Sequence, residues 1–202
     1  MINIVNNPEF WDDLYKDKLD RWDLKTPTPV FLELLNKEFF NQKSSILIAG
    51  CGKGYDAVEA AEFGLNVSAV DFSAEALESA RKLALNKNAI INFLLEDIFS
   101  LSEKSETRYD YIYDYVTYCS FSPQRRYEYA KTIYSLLKEN GRFVFILFPV
   151  EKRSAGPPFG VDEQETIKIF SEFLTLESAD RNINSIKPRK GREILHIYRK
   201  DK

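Results

Sequence analysis

The sequence predicts an α/β fold, a parallel sheet with helices on both faces. From Ser45 onward short apolar runs alternate with stretches of helical periodicity, and the run FVFILF at 143–148 is apolar throughout, as a central parallel strand is. Glycines at 50, 52 and 54 join the first strand to its helix. A length of 202 residues fits one domain with one core, so the whole chain, 1–202, reads as a single domain.

Two helical stretches come first, near 8–19 and 29–41; Pro29 suits a first turn, and Val30, Phe31, Leu34, Leu35 and Phe39 recur at helical spacing. SILIA is the first strand, followed by a helix from about Lys53 to Phe63 that stops at Gly64. NVSAVD is the second strand. Ser73 caps the next helix, whose apolar face is Ala76, Leu77, Ala80, Leu83 and Ala84. IINFLL and YDYIYDYV are the third and fourth strands, the latter placing Tyr109, Tyr111, Tyr113 and Tyr115 on one side. Ser122 and Pro123 open a helix through Leu137 that Gly141 closes, and RFVFILF is the fifth strand. A helix near 162–173 and strands near 174–180 and 192–199 complete the order.

Lys and Arg total 28 against 31 Asp and Glu, so the net charge of -3 supplies no general attraction to nucleic acid or to an anionic membrane. No stretch approaches the length of a membrane span, and the N-terminus lacks signal-peptide character, so a cytoplasmic location is expected. Cys51 and Cys119 are too few for a disulfide framework, and with one histidine, His196, a Cys/His zinc site cannot be assembled; no metal is expected.

Ligands of such sheets bind beyond the carboxyl ends of the strands, where the candidate residues fall. Gly50, Gly52 and Gly54 let backbone approach a nucleotide-like ligand closely. Their GxGxG spacing differs from the GxGxxG dinucleotide fingerprint, which weighs against an NAD-linked dehydrogenase. Asp71, ending the second strand, is placed to accept hydrogen bonds from both hydroxyls of a ribose; the alternative is a helix-start acid near Ser73. Asp97, ending the third, is placed to accept from an adenine amino group while Ile98 packs on the ring; the alternative is a solvated loop acid.

The segments ILIAGCGKGYDA, VDFS, EDIF, YDYIYDYVTYCSFSPQRRYEYA, LFPV and GPPFGVD together closely resemble the S-adenosylmethionine-dependent methyltransferases of the thiopurine methyltransferase family, in particular its halide/thiol methyltransferase branch. The resemblance runs from Trp11 to IKPRKGREIL at 186–195. It implies a Rossmann-like class I methyltransferase fold, with a seven-stranded, mostly parallel sheet, an N-terminal helical cap over residues 1–44 and a core over 45–202. It implies S-adenosyl-L-methionine as cofactor, S-adenosyl-L-homocysteine as product, and Trp11, Tyr15 and Trp22 as aromatic cover of the cofactor, Tyr15 standing where tryptophan is frequent. Thr28 and Arg126 fall on the acceptor side, and Tyr115 lies against the cofactor where the acceptor enters.

Electron-rich rings in a desolvated pocket suit a sulfonium cation, although Trp11 and Trp22 also read as anchors of two helices. Arg126 sits in a first helical turn, where the helix dipole disfavours a cation; it reads either as an attractor of an anionic acceptor or as half of an ion pair. Methyl transfer by direct displacement needs alignment and water exclusion rather than a strong base, so a halide, hydrosulfide, thiocyanate or thiol is the expected acceptor. Phe121, Phe148 and Phe159 are candidate walls, and His196 reads as structural. Thiopurines and tellurium or selenium anions are alternative acceptors. A non-catalytic S-adenosylmethionine-binding or nucleic-acid-associated module, suggested by Lys187, Arg189, Lys190 and Arg192, is the alternative from another class. The expected partner is a small molecule, with no nucleic acid and no membrane, and the protein is expected as a monomer before a dimer.

Overall fold

A computed structural model describes residues 4–201. Its strands form one seven-stranded sheet of order β3-β2-β1-β4-β5-β7-β6, with β1 Ser45–Ala49, β2 Asn66–Asp71, β3 Ile91–Leu95, β4 Tyr109–Tyr115, β5 Leu137–Leu147, β6 Thr175–Asp180 and β7 Ile194–Arg199. Among the pairings described, β7 alone runs antiparallel, to both β5 and β6. The chain divides at Ile98 into two compact units.

In the first unit the helices are α1 Pro8–Lys16, α2 Pro29–Asn36, α3 Tyr55–Phe63 and α4 Ala74–Lys87. Asn7 caps α1 by accepting from the Glu9 N–H, and Ser73 caps α4 by accepting from the Ala76 N–H at 3.2 Å. The second helix is shorter than its periodicity predicts. It stops at Asn36, and the backbone turns left-handed at Glu38 (φ 53°), although Phe40 beyond it is still buried. β1 and β2 pair in parallel from Ser45–Asn66 to Ala49–Val70, bringing their carboxyl ends level.

The second unit holds α5 Ile98–Lys104 from its second residue on, α6 Arg126–Leu136 and α7 Glu163–Phe170. The short α5 has no counterpart in the sequence expectation. The helix expected from Ser122 to Leu137 is instead a 3-10 turn, Pro123–Arg125, followed by α6. Gly141 does not close it: β5 starts at Leu137 and Gly141 lies inside the strand, at a shift in the β4–β5 register. A Cβ there would come within 2.9 Å of the Lys138 carbonyl oxygen and 3.0 Å of that of Tyr109, so close backbone packing explains this glycine.

Phe143 through Leu147 are all buried, as a strand covered on both faces requires. β4 is likewise buried on both faces: Ile112 and Asp114 are as enclosed as Tyr109, Tyr111 and Tyr113, while Tyr115 at its end is half-buried. Phe143, Phe145, Phe170 and Tyr118 pack ring against ring, with Phe143 and Phe145 stacked at 4.8 Å and Tyr118 edge-on to Phe145 at 5.0 Å. β7 carries His196 into this interior, where its Nδ1 lies 3.1 Å from the Tyr198 hydroxyl and its Nε2 3.1 Å from Glu163.

Gly54 precedes α3 with φ 80°, and a Cβ at this position would stand 2.8 Å from the Ala80 Cβ. Gly54→Ala therefore combines a left-handed backbone penalty with overpacking, and denaturant melts should show a loss of about 2 kcal/mol or more. Unchanged stability would mean that α4 yields at Ala80 at no cost.

Candidate active site

The turn after β1 is the centre of the first unit's site. Gly50, Gly52 and Gly54 have φ of 55°, 53° and 80°, a succession that side chains rarely adopt. The Cys51 N–H donates to the Val70 carbonyl at 2.9 Å, extending the β1–β2 pairing into the turn, and the Gly52 N–H donates to Asp71 Oδ2 at 2.9 Å. Asp71 Oδ1 accepts from the Ser73 N–H at 2.9 Å, so the carboxylate at the end of β2 is aimed by backbone on both sides. Burial raises its pKa to about 6, against the opposing backbone donors of Ser73 and Gly52.

The N-terminal segment brings three aromatic rings together. Trp11 meets Trp22 edge-on at 5.3 Å, Tyr15 meets Trp22 edge-on at 5.5 Å, and the Trp22 indole N–H donates to the Tyr15 hydroxyl at 3.3 Å. Trp11 is buried and donates to the Val5 carbonyl, an anchoring role alongside its place in the cluster. The Tyr15 hydroxyl lies over the glycine turn: a Cβ at Gly52 would be 3.2 Å from it. Burial, then Asp71, holds the Tyr15 phenol well above its ordinary pKa.

Three polar ties that the sequence did not single out pin this segment. Lys53, between two of the glycines, reaches Asp20 at 2.6 Å and Asp23 at 2.7 Å, bracketing Trp22. Asp56 in the first turn of α3 accepts from the Thr28 N–H at 2.7 Å and from its hydroxyl at 3.1 and 3.2 Å. Thr28 is therefore buried with its hydroxyl turned to Asp56 rather than capping α2. Burial lifts the Asp56 pKa to about 7, against the opposing Thr28 donors. Asp12 accepts from the Ser73 hydroxyl and the Glu75 N–H at the start of α4. Alternation and glycine spacing carry no trace of these pairs, which join residues about 30 to 60 positions apart.

Asp97 stands immediately ahead of α5, and Ile98, its first residue, is buried. These residues fit an adenosine-bearing ligand: the turn carries no side chain at 50, 52 or 54, and Asp71 is a carboxylate with acceptor capacity beyond its backbone donors. Trp11, Tyr15 and Trp22 supply aromatic faces. Among the described residues no group of three His, Cys, Asp or Glu side chains could hold a metal ion, and no helix is long and apolar enough to cross a membrane.

In the second unit, β4 ends at Tyr115, whose hydroxyl donates to Glu193 Oε1 at 2.7 Å. Arg189 is buried with its guanidinium 4.9 Å from the centre of the Tyr115 ring and 5.1 Å from that of Phe148. Of the four cations in the C-terminal run, only Lys187 and Lys190 are exposed, because Arg192 pairs with Glu151 through two bonds of 2.8 and 2.7 Å. Immediately after Tyr115, Val116 has φ 68°, a costly conformation for a β-branched residue, of the kind that persists where a site imposes it. Asp114, fully buried, accepts from the Tyr129 hydroxyl at 2.7 Å and the Thr117 N–H at 2.9 Å, anchoring the bend, and burial raises its pKa to about 6.

Arg126 is buried, donates to the Gly160 carbonyl at 2.7 Å, stands 3.5 Å from Glu165, and lies over the Tyr118 ring. It thus brackets the segment after GPPF. Phe121 is buried among Phe99, Tyr118 and Tyr129, whereas Phe148 lies under the Arg189 and Arg192 guanidinium groups. The Phe159 N–H donates to the Cys119 carbonyl, and burial pushes the Cys119 thiol up to about 12.

The sheet order and its flanking helices are those of the Rossmann-like class I methyltransferase fold. Residues 6–198 match the family Thiopurine S-methyltransferase (TPMT). The chain is 34% identical over 199 residues to "Probable thiol methyltransferase 2" of Arabidopsis thaliana, covering 96% of this chain and 86% of that one. It is 29% identical to "Thiocyanate methyltransferase 1" of the same plant, covering 94% and 84%. The solved Burkholderia thailandensis 1,6-didemethyltoxoflavin-N1-methyltransferase superposes with a TM-score of 0.73 at 22% identity, covering 96% of this chain and 87% of that one. The protein belongs to the thiopurine S-methyltransferase family and is an S-adenosylmethionine-dependent methyltransferase.

Asp71→Ala should weaken S-adenosylhomocysteine binding by about 1–3 kcal/mol, read by calorimetry. An ionised carboxylate is the stronger acceptor, so wild-type affinity should be full above pH 6 and fall as the pH drops through about 6, where Asp71 takes up its proton. A flat profile between about pH 5 and 8 would remove Asp71 from the binding site.

Proposed function

We propose that the protein transfers a methyl group by direct displacement to a small soft nucleophile: a halide, hydrosulfide, thiocyanate or another thiol. The observation that carries this reading is the Tyr115 cluster, in which a buried arginine is stacked on two rings and the phenol proton is already donated to Glu193. Such a surface presents a cation to an anion, and its one carboxylate is already engaged by the Tyr115 and Ser185 hydroxyls, which suits a nucleophile that arrives ionised and needs no base. The similarity to plant thiol and thiocyanate methyltransferases supports the same class.

S-adenosylmethionine, when bound, supplies a methyl group on a positively charged sulfur. In this reading Asp71 accepts from its ribose, Asp97 and Ile98 take its adenine, and the glycine turn makes room for it. Trp11, Tyr15 and Trp22 cover it, held in place by the Lys53 and Asp56 ties. On the acceptor side, within the second unit, Tyr115 and Arg126 border the nucleophile. Alignment of reacting atoms supplies about 7 kcal/mol or more of barrier reduction in favourable cases, and exclusion of water strips hydration from the anion.

Cap 1–44 and core 45–202 work as one domain in a monomeric protein, and the free thiols of Cys51 and Cys119 suit a reducing cytoplasm. A thiopurine acceptor is the second reading, favoured by 24% identity to the "Thiopurine S-methyltransferase" of Francisella tularensis.

Methyl-labelled S-adenosylmethionine incubated with iodide, hydrosulfide, thiocyanate and a thiopurine should yield volatile methylated products faster than the aromatic one. Faster thiopurine turnover would transfer the assignment to the second reading. Tight cofactor binding with no product from any acceptor would identify a binding module instead.

A further inference from the structure

Glu193 is only 4% exposed, yet it is the hub of the acceptor-side polar groups. Its Oε1 accepts the Tyr115 hydroxyl proton at 2.7 Å, and its Oε2 accepts that of Ser185. Both hydroxyls are the donors of these bonds and the two carboxyl oxygens the acceptors. The phenol has a single proton, and that proton is spent on Glu193. Burial also holds the phenol neutral, well above its ordinary pKa.

We propose that Glu193 is a specificity-determining positioning residue: by holding the Tyr115 proton, it denies a hydrogen bond to the acceptor and selects weakly hydrated, polarisable anions over small, strongly hydrated ones. The inference rests on the reading of Tyr115 as an acceptor-side residue. An anion beside this tyrosine meets ring and oxygen lone pairs rather than an O–H donor. A small hard anion such as chloride surrenders strong hydration on entry and gains no donor from Tyr115 in exchange, whereas iodide surrenders far less. Arg189, stacked on Tyr115 and Phe148, is present in every variant compared, so a change in the anion ratio between variants reads the phenol and Glu193. The left-handed Val116 fixes the direction in which the backbone leaves Tyr115.

The test is a double-mutant cycle on anion affinity, which needs no turnover. Chloride and iodide are titrated by calorimetry into the full-length protein saturated with S-adenosylhomocysteine, as wild type, Glu193→Met, Tyr115→Phe and the double variant. Glu193→Met frees the phenol proton, so the affinity for chloride relative to iodide should rise about tenfold, because the released donor bonds the small anion more strongly than the large one. In the Tyr115→Phe background the same substitution should move that ratio by less than about threefold, because no phenol proton remains to be released.

A ratio that does not change, or that changes equally in both backgrounds, overturns the inference, since the effect would then be one of general charge. Glu193→Asp keeps the buried charge but withdraws its reach, and carries the test should the methionine variant not fold. It should raise the ratio at least about threefold, and an unaltered ratio again overturns the proposal. Wild-type protein that binds neither anion also overturns it. Failure of the methyl-transfer assay alone would sink the proposed function, while the anion titration would still report on Glu193.

Discussion

The bond from the Gly52 N–H to Asp71 is the constraint on which the turn after β1 depends. It exists because β1 and β2 end level and because the Cys51 N–H continues their pairing by one residue. A chain that must leave β1, turn back toward β2 and enter a helix within five residues has left-handed conformations as its route, and glycine occupies all three of those positions. The same bond orients the carboxylate, so one geometric requirement makes room for a ligand and aims the group that would recognise it.

The segment before β1 inherits its position from that turn. Lys53 and Asp56 leave it in the direction of Asp20, Asp23 and Thr28, and Asp12 reaches the start of α4. An aromatic cover held only by ring packing could slide; polar ties with directional geometry fix where the rings stand. The carboxylates of Asp56 and Asp71 lie in surroundings that raise their pKa values, as does that of Asp114 in the second unit. In each case burial raises the pKa and hydrogen-bond donors oppose it, so each carboxylate is withdrawn from water while its bonds are kept. In the second unit Tyr115, Ser185, Glu193 and Arg189 form a comparable cluster, in which each hydroxyl proton has a named destination.

Much of this was visible in the chain order. The strands of the sheet could be read from apolar runs, and Gly50, Gly52, Gly54 and Asp71 from their places at strand ends, because those signals are local and periodic. The misreadings were also local. Gly141 looks like a helix terminator, yet it is a close-approach glycine inside β5, and α5 is too short to show a period. Arg189 reads in sequence as one cation of a basic run that suggests a nucleic-acid-associated module, but it is buried on two rings.

The sequence by itself determined the order of the strands and of the helices other than α5, the glycine turn and its acid, and the family, since each is written in neighbouring residues or in motifs of fixed spacing. Only the tertiary structure decided which distant side chains share a proton or a charge: Asp56 with Thr28, Lys53 with Asp20 and Asp23, Glu193 with Tyr115. Hydrogen bonds of about 3 Å are set by how the elements converge, and no spacing along the chain encodes a convergence of residues up to 78 positions apart.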